Sequence, residues 1–309
     1  MVPEEKMAAR VLSNRNLKPP YDLEALAREY GTLEFKSLPF RIDGITIGIG
    51  EKAKPRILIN SEISHRRQKF TLAHEIGHVV IPWHVGTVVS HLEPGDEDME
   101  YKQMEMEANR FAAELLMPST WVQERFATTP TFKEFFQDVL RQSGASKDAV
   151  FFKILRYLTA SAVLARYNEN TDEVIGIVKS PTAPNISTHG QWELPKFRGL
   201  DFDKEVFEVG GNHYVSWVFQ GKDIDDVDPR SWREILNEIL AECGLEHKLQ
   251  SINAILATAF NKSKTHDEAE ICGTIIRSFS TRSELRDFHS HPLFEQYVVK
   301  RVKELKDRQ

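Results

Sequence analysis

The sequence has little cysteine. Cys243 and Cys272 are its only two, far apart and outside any metal or redox spacing. That excludes a cysteine-based metal motif and leaves two idle thiols of a reducing compartment as the expectation. Long apolar runs are also missing. No stretch approaches the ~18 apolar residues needed to cross a bilayer. The opening MVPEEKMAARVLSNRNLKPPYD lacks the apolar core of a signal peptide. A cytoplasmic protein with no membrane partner is therefore expected. Excess positive charge is absent too: the formal net charge is -6, so no overall basic character points to nucleic acid. Internal repeats and low-complexity tracts are lacking.

What is present is an ordinary globular composition, 41% apolar and 28% charged, over 309 residues, enough for two or three modest cores. A short helix is predicted over 4–14. Pro19 and Pro20 then break the chain, and Asp22 caps a helix that Gly31 stops. Strand patterns follow at 33–36, 42–49 and 56–59. A helix is predicted over 64–80, ended by Pro82, which lacks the amide a helix interior needs. Residues 84–100 read as a polar loop, and a second long helix as 100–118. Beyond it come helices over 132–142 and 146–158 and a strand pair at 163–167 and 173–178. A linker is predicted over 181–195, a strand over 214–219, and then helices over 231–243, 247–260, 267–279 and 292–305. The fold class is α+β, divided as 1–125, 126–185 and a mostly helical 186–309.

The chemistry concentrates in His74-Glu75-Ile76-Gly77-His78, an H-E-x-x-H pattern. Positions i and i+4 share a helix face, so His74 and His78 can aim two imidazoles at one ion. Zinc accepts such nitrogens. Glu75 can take a proton from a water attacking a carbonyl and pass it to the leaving amine. Phe70, Leu72, Ala73, Ile76, Val79 and Val80 surround this trio, so the helix is expected to be buried on most sides. Buried polar groups need partners, and a metal supplies them.

Two residues compete as third ligand. His84 lies six residues past His78, but the motif with that spacing has a glycine where this chain has Ile81. Glu105 shares a helix face with Ala108, Asn109 and Ala112, and the small alanines allow close approach to another helix. Glu105 is favoured, with Asn109 one turn on as a hydrogen-bond partner for a ligating histidine. Glu107 sits about 200° round that helix and reads as a solvated glutamate.

At this point the sequence resembles the ImmA/IrrE family of metallopeptidases. The likeness rests on Pro19-Pro20-Tyr21-Asp22-Leu23-Glu24-Ala25-Leu26-Ala27, on Ile57-Leu58-Ile59-Asn60, on the segment from Arg67 to His78, and on that from Glu105 to Pro118. It implies a minimal zincin fold of the gluzincin type, with ligands at His74, His78 and Glu105 and catalysis by Glu75. It also implies a zinc endopeptidase that cuts DNA-binding, helix-turn-helix repressors and so relieves repression or triggers a stress response. Manganese or iron suit the same donors. No helix-turn-helix precedes the peptidase motif, and the long C-terminal region matches nothing nameable, so substrate and regulation stay open.

Other features carry less. Residues 132–158 have a helix-turn-helix-like pattern with Arg141, Lys147, Lys153 and Arg156, but Val150, Phe151 and Phe152 thin the basic stripe. Direct nucleic-acid binding there is one alternative function, and a catalytically silent sensor acting by partner binding is another. His289-Ser290-His291 reads as a polar turn, and Trp192, Trp217 and Trp232 as packing residues. The cations on the last helix read as a solvated face. Residues 93–107 hold seven carboxylates, read as a solvated loop beside the cleft. The strand over 56–60 is a candidate to pair with an extended substrate.

Overall fold

A computed structural model of the chain describes residues 1–39, 42–91, 99–190, 193–197 and 199–308. The carboxylates at 93–98 and Trp192 lie outside the described residues. The fold is mixed α+β with two four-stranded sheets. It divides into two compact units, Met1–Ile154 and Leu155–Gln309.

The first unit runs α1 (Pro3–Ser13), α2 (Leu23–Tyr30), β1 (Thr32–Lys36), β2 (Ile42–Ile49), β3 (Arg56–Asn60), α3 (His65–Val80), β4 (Gly86–His91), α4 (Met99–Leu116), α5 (Ser119–Thr128), α6 (Phe132–Ser143) and α7 (Lys147–Lys153). Its sheet has the order β1-β3-β2-β4, with β1 parallel to β3 and the other pairs antiparallel. The strand proposed to receive substrate, β3, is thus interior. Its hydrogen-bonding sides are occupied by β1 and β2, and the edges fall to β1 and β4. The segment read as a polar loop contains β4, whose short Gly-Thr-Val-Val-Ser-His run is too brief to show a clear alternation.

Helix α3 begins where the Ser64 side chain caps the Arg67 amide and ends at Ile81. Every residue from Thr71 to His78 is buried, as the ring of apolar neighbours requires. Two glycines let other elements come this close. A Cβ on Gly77 would stand 3.1 Å from the Phe111 ring of α4. A Cβ on Gly44 of β2 would meet Thr71 Cγ2 at 2.6 Å and a Glu75 carboxylate oxygen at 2.5 Å. Ala108 and Ala112 of α4 are fully buried, so the small-residue face packs as expected.

The second unit contains β5 (Ala162–Tyr167), β6 (Val174–Lys179), β7 (Phe202–Val209), β8 (Asn212–Phe219), α8 (Trp232–Cys243), α9 (Leu249–Ser263), α10 (Glu268–Ser280), α11 (Arg286–His289) and α12 (Phe294–Asp307). Its antiparallel sheet, β6-β5-β8-β7, covers a core of Val163, Ile177, Val215, Trp217 and Phe219. The helices bury a second cluster around Ile239, Ile275, Phe279, Phe288 and Tyr297. The Trp232 ring meets the guanidinium groups of Arg233 and Arg301, at 4.4 and 4.2 Å from its centroid. Among the described residues no helix is long and apolar enough to cross a membrane.

The boundaries expected at 125 and 185 do not coincide with this division. Helices α6 and α7 belong to the first unit because Lys153 of α7 is buried on Glu114 of α4, at 2.5 Å, and Phe126 packs edge-on against Phe132 and Phe135. The predicted strand pair belongs to the second unit because β8 hydrogen-bonds β5 along its whole length. Replacing Lys153 by Met should strand the buried Glu114 charge and lower unfolding free energy by on the order of 3–5 kcal/mol. Urea denaturation reads this, and a change below about 1 kcal/mol would show that the pair does not tie α7 to the unit.

Candidate metal centre

Helix α3 turns His74 and His78 onto the face that meets α4. Their Nε2 atoms lie 2.9 Å apart. Glu105 of α4 brings one carboxylate oxygen to 3.3 Å from His74 Nε2 and the other to 3.3 Å from His78 Nε2. These three residues are the one group of metal-ligating side chains that converges among the described residues. Donors about 2.0–2.1 Å from a tetrahedral zinc stand roughly 3.3 Å from one another, close to this spacing. Glu105 Oε1 is buried with no hydrogen-bond partner. Two imidazole nitrogens and two carboxylate oxygens at this spacing make a donor set that a divalent cation can satisfy.

Each ring is held from behind. Asn109 Oδ1 lies 3.1 Å from His74 Nδ1, a contact its helix position allows. His78 Nδ1 lies 2.9 Å from Nδ1 of His84, whose Nε2 is 3.1 Å from Glu107 Oε2. His84 is thus not placed among the converging ligands; it lies in the loop after α3, beside Trp83. It is 1% exposed and stands behind His78. The reading of Glu107 as a solvated glutamate is overturned as well. It is buried, and it accepts from Trp83 Nε1 at 2.6 Å and Gln103 Nε2 at 2.7 Å besides its contact with His84. Counting turns on α4 placed Glu107 away from the ligand face, but could not show that residues 83–84 fold back over that side.

Glu75 points to the sheet side of α3. Thr46 of β2 donates to one of its oxygens at 2.5 Å and Ser90 of β4 to the other at 2.7 Å. A carboxylate has about four lone-pair sites, so two remain for other donors. The sequence reading missed both hydroxyls and Gly44. A glycine and a threonine inside the otherwise apolar Ile-Asp-Gly-Ile-Thr-Ile run were the available signal, since a strand glycine marks close approach of another group. Ser90 had no such signal because its strand went unread.

The electrostatics follow from burial and from the two glutamates. Burial drives the His78 imidazole down to about 4, against the pull of Glu105. Burial also works against a charged His74, but Glu105 and Glu75 outweigh it and hold that ring above its ordinary value. Burial opposes ionisation of Glu105, yet the two imidazoles keep its carboxyl at about 2. Glu75 is raised by burial, with Thr46 and Ser90 working the other way. Glu105 therefore stands ionised at neutral pH, and His78 neutral, the forms in which each donates to a metal.

The unit thus sets H-E-x-x-H on one helix against a glutamate of the next, a group that could hold a metal ion. Residues 35–154 match the Peptidase_M78 family, described as an IrrE N-terminal-like domain, so the chain carries a domain of the family that its motifs resemble. No curated protein matches the chain. Among solved structures, a Mycobacterium tuberculosis transcriptional regulator is similar at 10% identity with a TM-score of 0.38, over 70% of this chain and 75% of that one.

Thr46→Val combined with Ser90→Ala leaves a fully buried carboxylate without its two donors. Unfolding free energy should fall by about 1–3 kcal/mol for each lost partner. Denaturant titration of the double variant checks this, and parental stability would show that the hydroxyls do not hold Glu75.

Proposed function

We propose that the protein is a metal-dependent endopeptidase acting on another protein, with His74, His78 and Glu105 as metal ligands and Glu75 as general base and then acid. The observation that carries this is the convergence of two imidazole nitrogens and an otherwise unpartnered carboxylate oxygen on one point. The donor set suits zinc, and manganese or iron as well. Bound there with three protein ligands, such an ion polarises a substrate carbonyl and makes water a stronger acid.

The protein groups then divide the work. Glu75 accepts a proton from the attacking water and returns it to the amine as the C–N bond breaks. Thr46 and Ser90 hold its carboxylate so that the remaining lone pairs keep one direction. Asn109 orients the His74 ring. The outer side of β4 is a sheet edge among the described strands, and it replaces β3 as the place where an extended peptide can add a strand. The family likeness suggests a helix-turn-helix repressor as substrate, released from DNA by the cut, and hence a cytoplasmic location.

One observation favours a second reading, a sensor that keeps the fold without turnover: Glu75 is fully buried and both its oxygens are engaged. The third reading, DNA binding through α6 and α7, loses support because Lys153, one of its few cations, is buried on Glu114.

Incubation with helix-turn-helix repressors encoded beside its gene separates the readings. The parent should yield a discrete cut that a chelator stops. Glu75→Gln should keep its metal and cleave about 10²–10⁴-fold more slowly, the usual contribution of a positioned proton-transfer group. Equal cleavage by the two would remove Glu75 from the reaction. Metal-free parent protein that binds a repressor without cutting it would establish the sensor.

A further inference from the structure

Behind the ligand set, a buried polar chain runs from His78 through His84 to Glu107. Glu107 lies on the same helix as Glu105 but about 200° round it. Helix α4 therefore reaches the candidate metal twice. Glu105 contacts the ligand imidazoles directly, and Glu107 connects to His78 through the intervening His84 imidazole.

We infer that His84 and Glu107 are positioning residues for the metal, fixing His78 in the tautomer that presents its Nε2 lone pair to the cation. The inference rests on the metal-binding reading above. A carboxylate only accepts, so the His84 nitrogen 3.1 Å from Glu107 Oε2 carries the hydrogen. A neutral imidazole has one N–H, so His84 Nδ1 offers a lone pair. His78 Nδ1, 2.9 Å away, must then donate, which leaves His78 Nε2 bare and facing His74 Nε2 and Glu105. The opposite tautomer of His78 would press two lone pairs together at 2.9 Å behind the ring and put an N–H into the ligand space.

The far end of the chain is locked as firmly. Gln103 holds one Glu107 oxygen, and Trp83 and His84 share the other, so the carboxylate has three donors on it. His74 needs no such chain because Asn109 is already within 3.1 Å of its Nδ1. The two ligands are thus oriented differently, one by a single amide and one by a histidine–carboxylate pair. Orienting partners of this kind typically change metal affinity 10–100-fold.

The test uses the full chain, with zinc affinity measured by competition against a chromophoric chelator and the visible spectrum of the cobalt-loaded protein as a second readout. His84→Phe and Glu107→Leu should each weaken zinc binding by about 10–100-fold and alter the cobalt bands. His84→Gln, whose side-chain carbonyl can accept from His78 while its amide donates to Glu107, should restore affinity to within about 3-fold of the parent. Zinc binding and cobalt spectra unchanged in Glu107→Leu would overturn the inference, even if His84→Phe fails to fold. Failure of His84→Gln to rescue a weakened site would also overturn it, reducing His84 to a packing residue. These results leave the peptidase reading standing as long as the parent binds zinc. A parent without affinity for zinc, manganese or iron would remove both.

Discussion

The close approach of α3 and α4 is the constraint on which the rest depends. Gly77 leaves room for Phe111, and Ala108 and Ala112 leave room for α3. A helix bearing two imidazoles and one bearing a carboxylate can meet at coordinating distance only if nothing larger lies between them. A bulkier residue at any of these three places would force strain or separation of the helices. The apolar packing around the site and the chemistry within it therefore come from the same few small side chains.

That approach also creates the electrostatic problem the site has to solve. His74, Glu75, His78, His84 and Glu107 are all withdrawn from water within one small volume. Such groups stay stable only when each has a partner. The sheet supplies two hydroxyls to Glu75 and α4 supplies Asn109 to His74. The turn after α3 supplies His84 to His78 and Trp83 to Glu107. What this network leaves open is the Glu105 oxygen and the facing Nε2 pair. Among the described residues, the point where such donors converge is His74, His78 and Glu105, a group that could hold a metal ion.

Much of this was legible in the sequence because helical periodicity is a strong rule. The spacing of His74 and His78, the small-residue face of α4 and the place of Asn109 follow from counting turns, and Ile81 in place of a glycine is what set His84 aside as a ligand. What stayed hidden depends on contacts between elements far apart in the chain. The polar run after α3 holds an edge strand, and Ser90 on it touches Glu75. Glu107 looks solvated on a helical wheel, and becomes buried only because residues 83–84 fold over it. Helix α7 lies in the first unit, where Lys153 pairs with Glu114, a contact no local pattern records. The segment 289–291 is only partly the expected polar turn: His289 ends α11, while His291 pairs with Glu242 and accepts from the Leu293 amide.

The most direct test is X-ray absorption at the zinc edge of the full chain loaded with one equivalent of the metal. The account predicts a first shell of nitrogen and oxygen only, at about 2.0–2.1 Å, with outer scattering from two imidazole rings. A sulfur shell near about 2.3 Å would contradict it, since the metal would then sit at a cysteine rather than between the two helices. So would fewer than two imidazoles, which would mean that His74 and His78 do not share an ion.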